Sequence, residues 1–168
     1  MVVTGKFNID APRNSVFAAL TDINVLREAV PGCNQLKKNE YNEYSSILTL
    51  NFSQITSQFA ITSHSDIVIP SDKISIIGEG NGGPAGNFQF SGTFDFLTQP
   101  ATTSVSYTLK LRLKGKIAKL EEKSLNKTIE RISEDFSRNV KQIIEPTPEK
   151  LSKINAFVAL LRRIISAR

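Results

Sequence analysis

The sequence predicts an α+β domain in which a curved antiparallel sheet wraps one long C-terminal helix, with an extra amphipathic helix beyond it. Three features carry this expectation. Apolar residues alternate with period two through the middle of the chain, as in strands with one covered and one wet face. From Lys116 the apolar period lengthens to that of a helix. Glu145-Pro146-Thr147-Pro148 then interrupts the helical pattern, because proline disfavours the helical conformation of the residue before it.

The elements follow in order. Residues 2–9 read as an opening strand, ended by Asp10-Ala11-Pro12. Pro12 suits the first turn of a short helix whose apolar face holds Val16, Phe17, Ala19 and Leu20. Asp22 is placed to cap a second short helix through Val25, Leu26 and Ala29, and Pro31-Gly32 stops it. Five alternating runs come next. Tyr44, Ser46, Leu48, Leu50 and Phe52 share one face; Ile55, Phe59, Ile61, Ile67 and Ile69 share the next, with Gln58, Thr62, His64 and Asp66 opposite. Ile74 and Ile76 mark a third, Phe88, Phe90, Phe94 and Phe96 a fourth, and Val105, Tyr107, Leu109, Leu111 and Leu113 a fifth.

Ile117, Leu120, Ile129, Ile132, Phe136, Val140 and Ile143 recur at helical spacing over about seven turns. After the break, Thr147 is a candidate N-cap, with Pro148 first in a helix running to about Ser166. The chain thus divides into a domain over residues 1–145 and a proline-bounded helix over 146–168. One long helix laid on a curved sheet leaves a wedge-shaped interior, and such wedges can remain ligand cavities.

Composition excludes several functions. The content of 40% hydrophobic and 22% charged residues is that of a globular domain. The longest apolar run covers residues 156–161, far below the roughly 20 residues that span a bilayer. Lys6, Asn8 and Asp10 break the apolar character of the first ten residues, so no signal peptide is expected and the location expected is cytoplasmic. A single cysteine, Cys33, makes no internal disulfide, and one His with one Cys cannot furnish a conventional zinc site. Neither a metal nor a cofactor is expected.

Residues 5–12 (Gly-Lys-Phe-Asn-Ile-Asp-Ala-Pro), Val16-Phe17-Ala18-Ala19-Leu20-Thr21-Asp22 and Val30-Pro31-Gly32-Cys33 resemble the family of the carbon monoxide dehydrogenase G-subunit. That family falls in the superfamily of START-like, Bet v 1-like helix-grip domains (SRPBCC). The glycine-rich residues 78–86 and Gly115-Lys116-Ile117-Ala118 extend the resemblance, which spans roughly residues 3–140. It implies a non-catalytic accessory protein serving a molybdenum hydroxylase. It also implies membrane association through the C-terminal segment and a cavity suited to a lipid or quinone-like ligand.

Each candidate site has an ordinary structural role to set beside a functional one. Residues 78–86 hold five of the nine glycines, but a strand follows them and no Gly-Lys-Ser/Thr is present, so a hairpin using positive φ is expected rather than a phosphate loop. His64, the only histidine, falls on a polar face, and no catalytic residue is assigned. Cys33, after a Pro-Gly turn, reads as a small buried or half-buried hydrophobe, with a reactive thiol as the alternative. Phe59, Phe88, Phe90, Phe94, Phe96, Ile132 and Phe136 point between sheet and helix and are candidate ligand contacts, with Tyr107 as a polar handle. Almost no charged residue is expected inward, which favours an apolar ligand.

The net charge of +5 sits entirely in the tail. Lys150, Lys153, Arg162, Arg163 and Arg168 carry it, no acidic residue accompanies them, and residues 1–149 balance to zero. On a helical projection Leu151, Ile154, Phe157, Val158, Leu160, Leu161, Ile164 and Ile165 fall within about half the circumference. Apolar bulk flanked by basic residues suits an anionic membrane surface. The expected docking residues are Leu151, Lys153, Ile154, Phe157, Val158, Leu161, Arg162, Arg163 and Ile165. A partner enzyme, or the domain itself, is the alternative for this face. Nucleic acid is not expected, because no aromatic platform interleaves with the basic residues. The overall expectation is a peripherally membrane-associated binding protein; an enzyme of the cyclase or hydrolase type on the same fold, or a protein adaptor, is the alternative.

Overall fold

The computed structural model describes residues 1–145 and 147–166. Pro146, read above as part of the helix break, lies outside the described residues, as do Ala167, Arg168 and the side chains of Pro148 and Lys150. The elements are β1 (Val2–Ile9), α1 (Arg13–Thr21), α2 (Ile23–Ala29), β2 (Cys33–Lys38), β3 (Glu43–Phe52), β4 (Ile55–Ile69) and β5 (Lys73–Asn81). They continue with β6 (Asn87–Gln99), β7 (Thr102–Lys114), α3 (Glu122–Ile144) and α4 (Pro148–Ser166).

The strands form one antiparallel sheet in the order β1-β7-β6-β5-β4-β3-β2. Strands β2 to β7 are a meander, and β1 closes the far edge by pairing Val2 with Lys110 through to Ile9 with Thr103. Strand β2 is not foreseen from periodicity. It is short and edge-placed, and Leu36 is its one buried residue, so it carries no alternation to detect. Ile67 and Ile69 share the sequence parity of Phe59 and Ile61, but both are exposed, and a register shift between them sets Ile69 opposite Lys73, out of step with the inner face. Parity reports a face and not its cover.

The short helices behave largely as their caps dictate. The Asp22 carboxylate accepts from the Asn24 N–H at 2.7 Å, satisfying a donor that the helix leaves orphaned. Gly32 adopts φ +71°, where a β-carbon would strike the Thr49 carbonyl, so the chain passes tightly beneath β3. The long helix starts later than its apolar spacing suggests. Ile117–Lys119 forms a separate 3₁₀ turn, and Leu120 is extended at ψ 149° before α3 begins. Ile117 and Leu120 therefore pack from a turn rather than from the helix.

Helix α3 lies against the concave face and splits the interior into two packed clusters. One joins Phe7, Ile9, Val16, Phe96, Val105 and Val140 beneath α1 and α2. The other joins Leu50, Phe52, Phe59, Ile61, Phe88 and Leu125 near the β3–β4 hairpin. Side chains from α3 tie these ends down. Arg131 donates to the Asn51 carbonyl at 3.2 Å, and Asn139 donates to the Ala29 carbonyl at 3.0 Å, filling an acceptor at the end of α2. The Asp10 N–H donates to the Glu145 carboxylate at 3.0 Å, joining the end of β1 to the end of α3.

Residues 78–86 combine two structures. Gly83 and Gly86 take positive φ, as expected of a connection. Gly78, Gly80 and Gly82 do not; they sit at alternate positions on the inner side of the β5 end, each beneath an aromatic ring of Phe90, Phe88 and Phe59 respectively. A β-carbon at any of the three would overlap its ring. These glycines make room for aromatic packing.

Candidate ligand cavity and docking helix

A cavity of about 350 Å³ lies between the two clusters. Its sheet wall is built by inward side chains of β2 to β7, from Leu36 through Ser46, Ile61, Ile76 and Phe94 to Leu109. Leu20, Thr21, Leu26 and Val30 close it from α1 and α2, and Phe136 closes it from α3. Each wall follows from the local pattern: alternate strand residues face inward, and residues three or four apart share the inner helix face. Among the described residues no charged side chain lines it. A larger groove of about 880 Å³, flanked by Lys37, His64 and Glu79, is open to solvent along the sheet and does not enclose a ligand.

The eight candidate contact residues divide. Phe90, Phe94, Phe96 and Phe136 line the cavity. Phe59, Phe88 and Ile132 do not; they fill the second cluster, with the Phe59 and Phe88 ring centroids 5.4 Å apart. Tyr107 is also outside the lining. Its ring lies over Gly5 of β1 and 6.0 Å from Phe94, against the first cluster. The polar groups of the cavity are instead hydroxyls of Thr21, Tyr44, Ser46, Ser63 and Ser65 and the thiol of Cys33.

Sequence reasoning misses those serines, although positions 44, 46, 63 and 65 share the inward parity of Leu48 and Ile61. It also leaves the inner faces of α1 and α2 unassigned to the site. Cys33 is half-buried, and burial pushes its thiol pKa up, opposed only in part by the Arg27 charge and the Gln35 N–H. His64 lies outside the cavity, with Nε2 3.0 Å from an Asp66 carboxylate oxygen. Among the described residues no group of three or more His, Cys, Asp or Glu is arranged to hold a metal ion.

All nine expected docking residues lie on α4, and every described side chain from Leu151 to Ser166 is exposed. Phe157 is 59% exposed and Ile165 73%. Lys153 pairs with Glu149 at 3.2 Å along the helix. Among the described residues no helix is long and apolar enough to cross a membrane.

The family model for the carbon monoxide dehydrogenase G-subunit (CoxG) matches residues 5–145. The chain belongs to that family. The match ends where α3 ends, so α4 lies beyond the part that defines CoxG proteins. Solved structures share the fold of this chain over most of its length. A conserved protein from Geobacillus kaustophilus superposes with a TM-score of 0.80 at 19% identity, covering 86% of this chain and 95% of that one. A START superfamily protein from Mycobacterium smegmatis gives 0.64 at 10% identity, over 86% and 97%. The ZhuI aromatase/cyclase from Streptomyces sp. R1128 gives 0.64 at 16% identity, over 86% and 93%. At these identities the likeness concerns the fold, which is the α+β helix-grip architecture expected from the sequence. No curated protein shows a significant sequence match to the chain.

Proposed function

We propose that this CoxG-family protein is a non-catalytic accessory protein that carries an uncharged, largely apolar molecule, a lipid or a quinone-like compound, in the 350 Å³ cavity. It docks at an anionic membrane surface through α4 and serves a molybdenum hydroxylase of the carbon monoxide dehydrogenase type. The observation that carries the reading is the cavity wall, which is mostly apolar and has no charged side chain among the described residues. A buried carboxylate or phosphate would find no counter-ion there, whereas an apolar body gains from leaving water. The exposed apolar face of α4, with Arg162 and Arg163 beside it, supports docking at lipid headgroups.

The aromatase/cyclase of the same fold keeps an enzymatic reading in view. Acid–base chemistry by the described residues of this cavity would have to use hydroxyls and one thiol, since none of them that lines it is a carboxylate, imidazole or ammonium. That lining favours the carrier. The test is transfer: full-length protein is incubated with sucrose-loaded anionic donor vesicles carrying a hydrophobic quinone and with light anionic acceptor vesicles, the donors are sedimented, and quinone is assayed in the acceptors left in the supernatant. Protein-dependent release is the expected result. Release no greater than with a Leu26→Trp/Ile76→Trp variant, whose indoles occupy the cavity, would refute it. An adaptor that docks on protein alone would leave the protein in the supernatant with no quinone.

A further inference from the structure

The inner face of the sheet changes chemistry along two neighbouring strands. On β3 it runs Tyr44, Ser46, Leu48, Leu50, Phe52, and on β4 it runs Phe59, Ile61, Ser63, Ser65. Antiparallel pairing sets Tyr44 opposite Ser63 and Ser46 opposite Ile61, and Ser65 lies opposite Ile76 of β5. The hydroxyls therefore gather at one end of these strands, and the leucines and phenylalanines at the other. Directly opposed β-carbons stand about 4.5–5.5 Å apart and same-face neighbours along a strand about 7 Å, so one bound group can reach several of the four.

All four line the cavity. Among the described residues none of their hydroxyls has a hydrogen-bond partner, whereas the Thr21 Oγ1 is engaged by the Phe17 and Ala18 carbonyls at 3.0 Å each. Each of the four residues is half-buried and its hydroxyl still reaches the cavity space, so it can donate to a ligand without first giving up a protein partner. Four such groups on one patch give a largely apolar wall a polar end.

We propose that Tyr44, Ser46, Ser63 and Ser65 form the polar subsite of the cavity, donating hydrogen bonds to an uncharged oxygen of the ligand, such as a ring carbonyl. The apolar body lies against Ile74, Phe94, Phe96 and Phe136. The absence of charge on the lining selects a neutral acceptor over a carboxylate or phosphate, and the position of the hydroxyls sets which way round the ligand lies. This inference rests on the reading of the cavity as a ligand site.

Two probes separate them: 2,3-dimethyl-1,4-naphthoquinone and 2,3-dimethylnaphthalene, the same frame without the oxygens. Binding to full-length protein is measured by equilibrium ultrafiltration, for the wild type, Ser63→Ala and Ser46→Ala/Ser63→Ala/Ser65→Ala. The triple variant should weaken the quinone about tenfold and the single about threefold, with the hydrocarbon changed less than about twofold. Ser45→Ala/Thr62→Ala, on the outer face of the same strands, should change neither. Equal losses for both probes, or no loss for the quinone, would overturn the subsite while leaving the cavity reading intact. Retention of neither probe by the wild type would overturn both.

Discussion

Replacing Phe157 and Leu161 with serine tests whether the apolar face of α4 drives docking. Their side chains are 59% and 40% exposed, so about half of each remains available to leave water on contact with lipid. Complete burial of such a side chain is worth about 1.5–3 kcal/mol, which leaves about 0.75–1.5 kcal/mol for each residue here. The double variant should then lose about 1.5–3 kcal/mol, a fall of about 10- to 150-fold in partitioning. A parallel variant, Arg162→Gln/Arg163→Gln, removes two charges worth about 1 kcal/mol each near anionic lipid, or about 30-fold together. Co-sedimentation with anionic and neutral vesicles reads both numbers. The charge variant should differ from wild type only on the anionic vesicles, and the difference should shrink as salt is raised. Neither variant should move the unfolding midpoint, because the replaced side chains are exposed. Wild-type partitioning by both variants would refute the reasoning, and so would a matching loss of folding stability.

Other outcomes follow from the core and the cavity rim. Gly80→Ala places a β-carbon inside the Phe88 ring, which is held between Phe59 at 5.4 Å and Phe90 at 6.1 Å. Overpacking of this kind should cost about 1–3 kcal/mol in urea unfolding, and an unchanged midpoint would contradict the role assigned to that glycine. Burial raises the Cys33 pKa, so thiolate forms at higher pH than in a free cysteine and disulfide exchange at pH 8 should be slower than for N-acetylcysteine. A bound ligand should slow it further; a rate equal to the free thiol would contradict the placement. The Arg13–Asp72 pair at 2.9 Å is 37% and 41% exposed, and Arg13→Ala should cost no more than about 1 kcal/mol.

Much of this architecture is legible in the sequence because the sheet has one covered face. The alternation of Phe88, Phe90, Phe94 and Phe96 marks β6 correctly, and the Asp22 cap and the helix beginning at Pro148 fall where their chemistry places them. What escapes the sequence are features whose signal is relational. Strand β2 is an edge with a single buried residue, so nothing repeats along it. The later start of α3 depends on the extended Leu120, which apolar spacing cannot register.

The cavity is the clearest case. Periodicity assigns Phe59 and Phe94 equally to the inner face, yet one fills a packed cluster and the other borders a void. That distinction is set by how far α3 and the short helices stand from the sheet. The serines look like interruptions of an apolar pattern until strand register brings Tyr44 and Ser63 together. Tyr107 has the chemistry of a polar handle, but the room left by Gly5 draws its ring toward β1.

Native mass spectrometry of the full-length protein, purified without detergent or organic solvent, tests the central claim most directly. The expected result is a complex carrying one neutral, extractable apolar molecule, absent from the Leu26→Trp/Ile76→Trp variant. Repeated recovery of empty protein that takes up no quinone when offered it would contradict the claim that this cavity is built to hold a ligand.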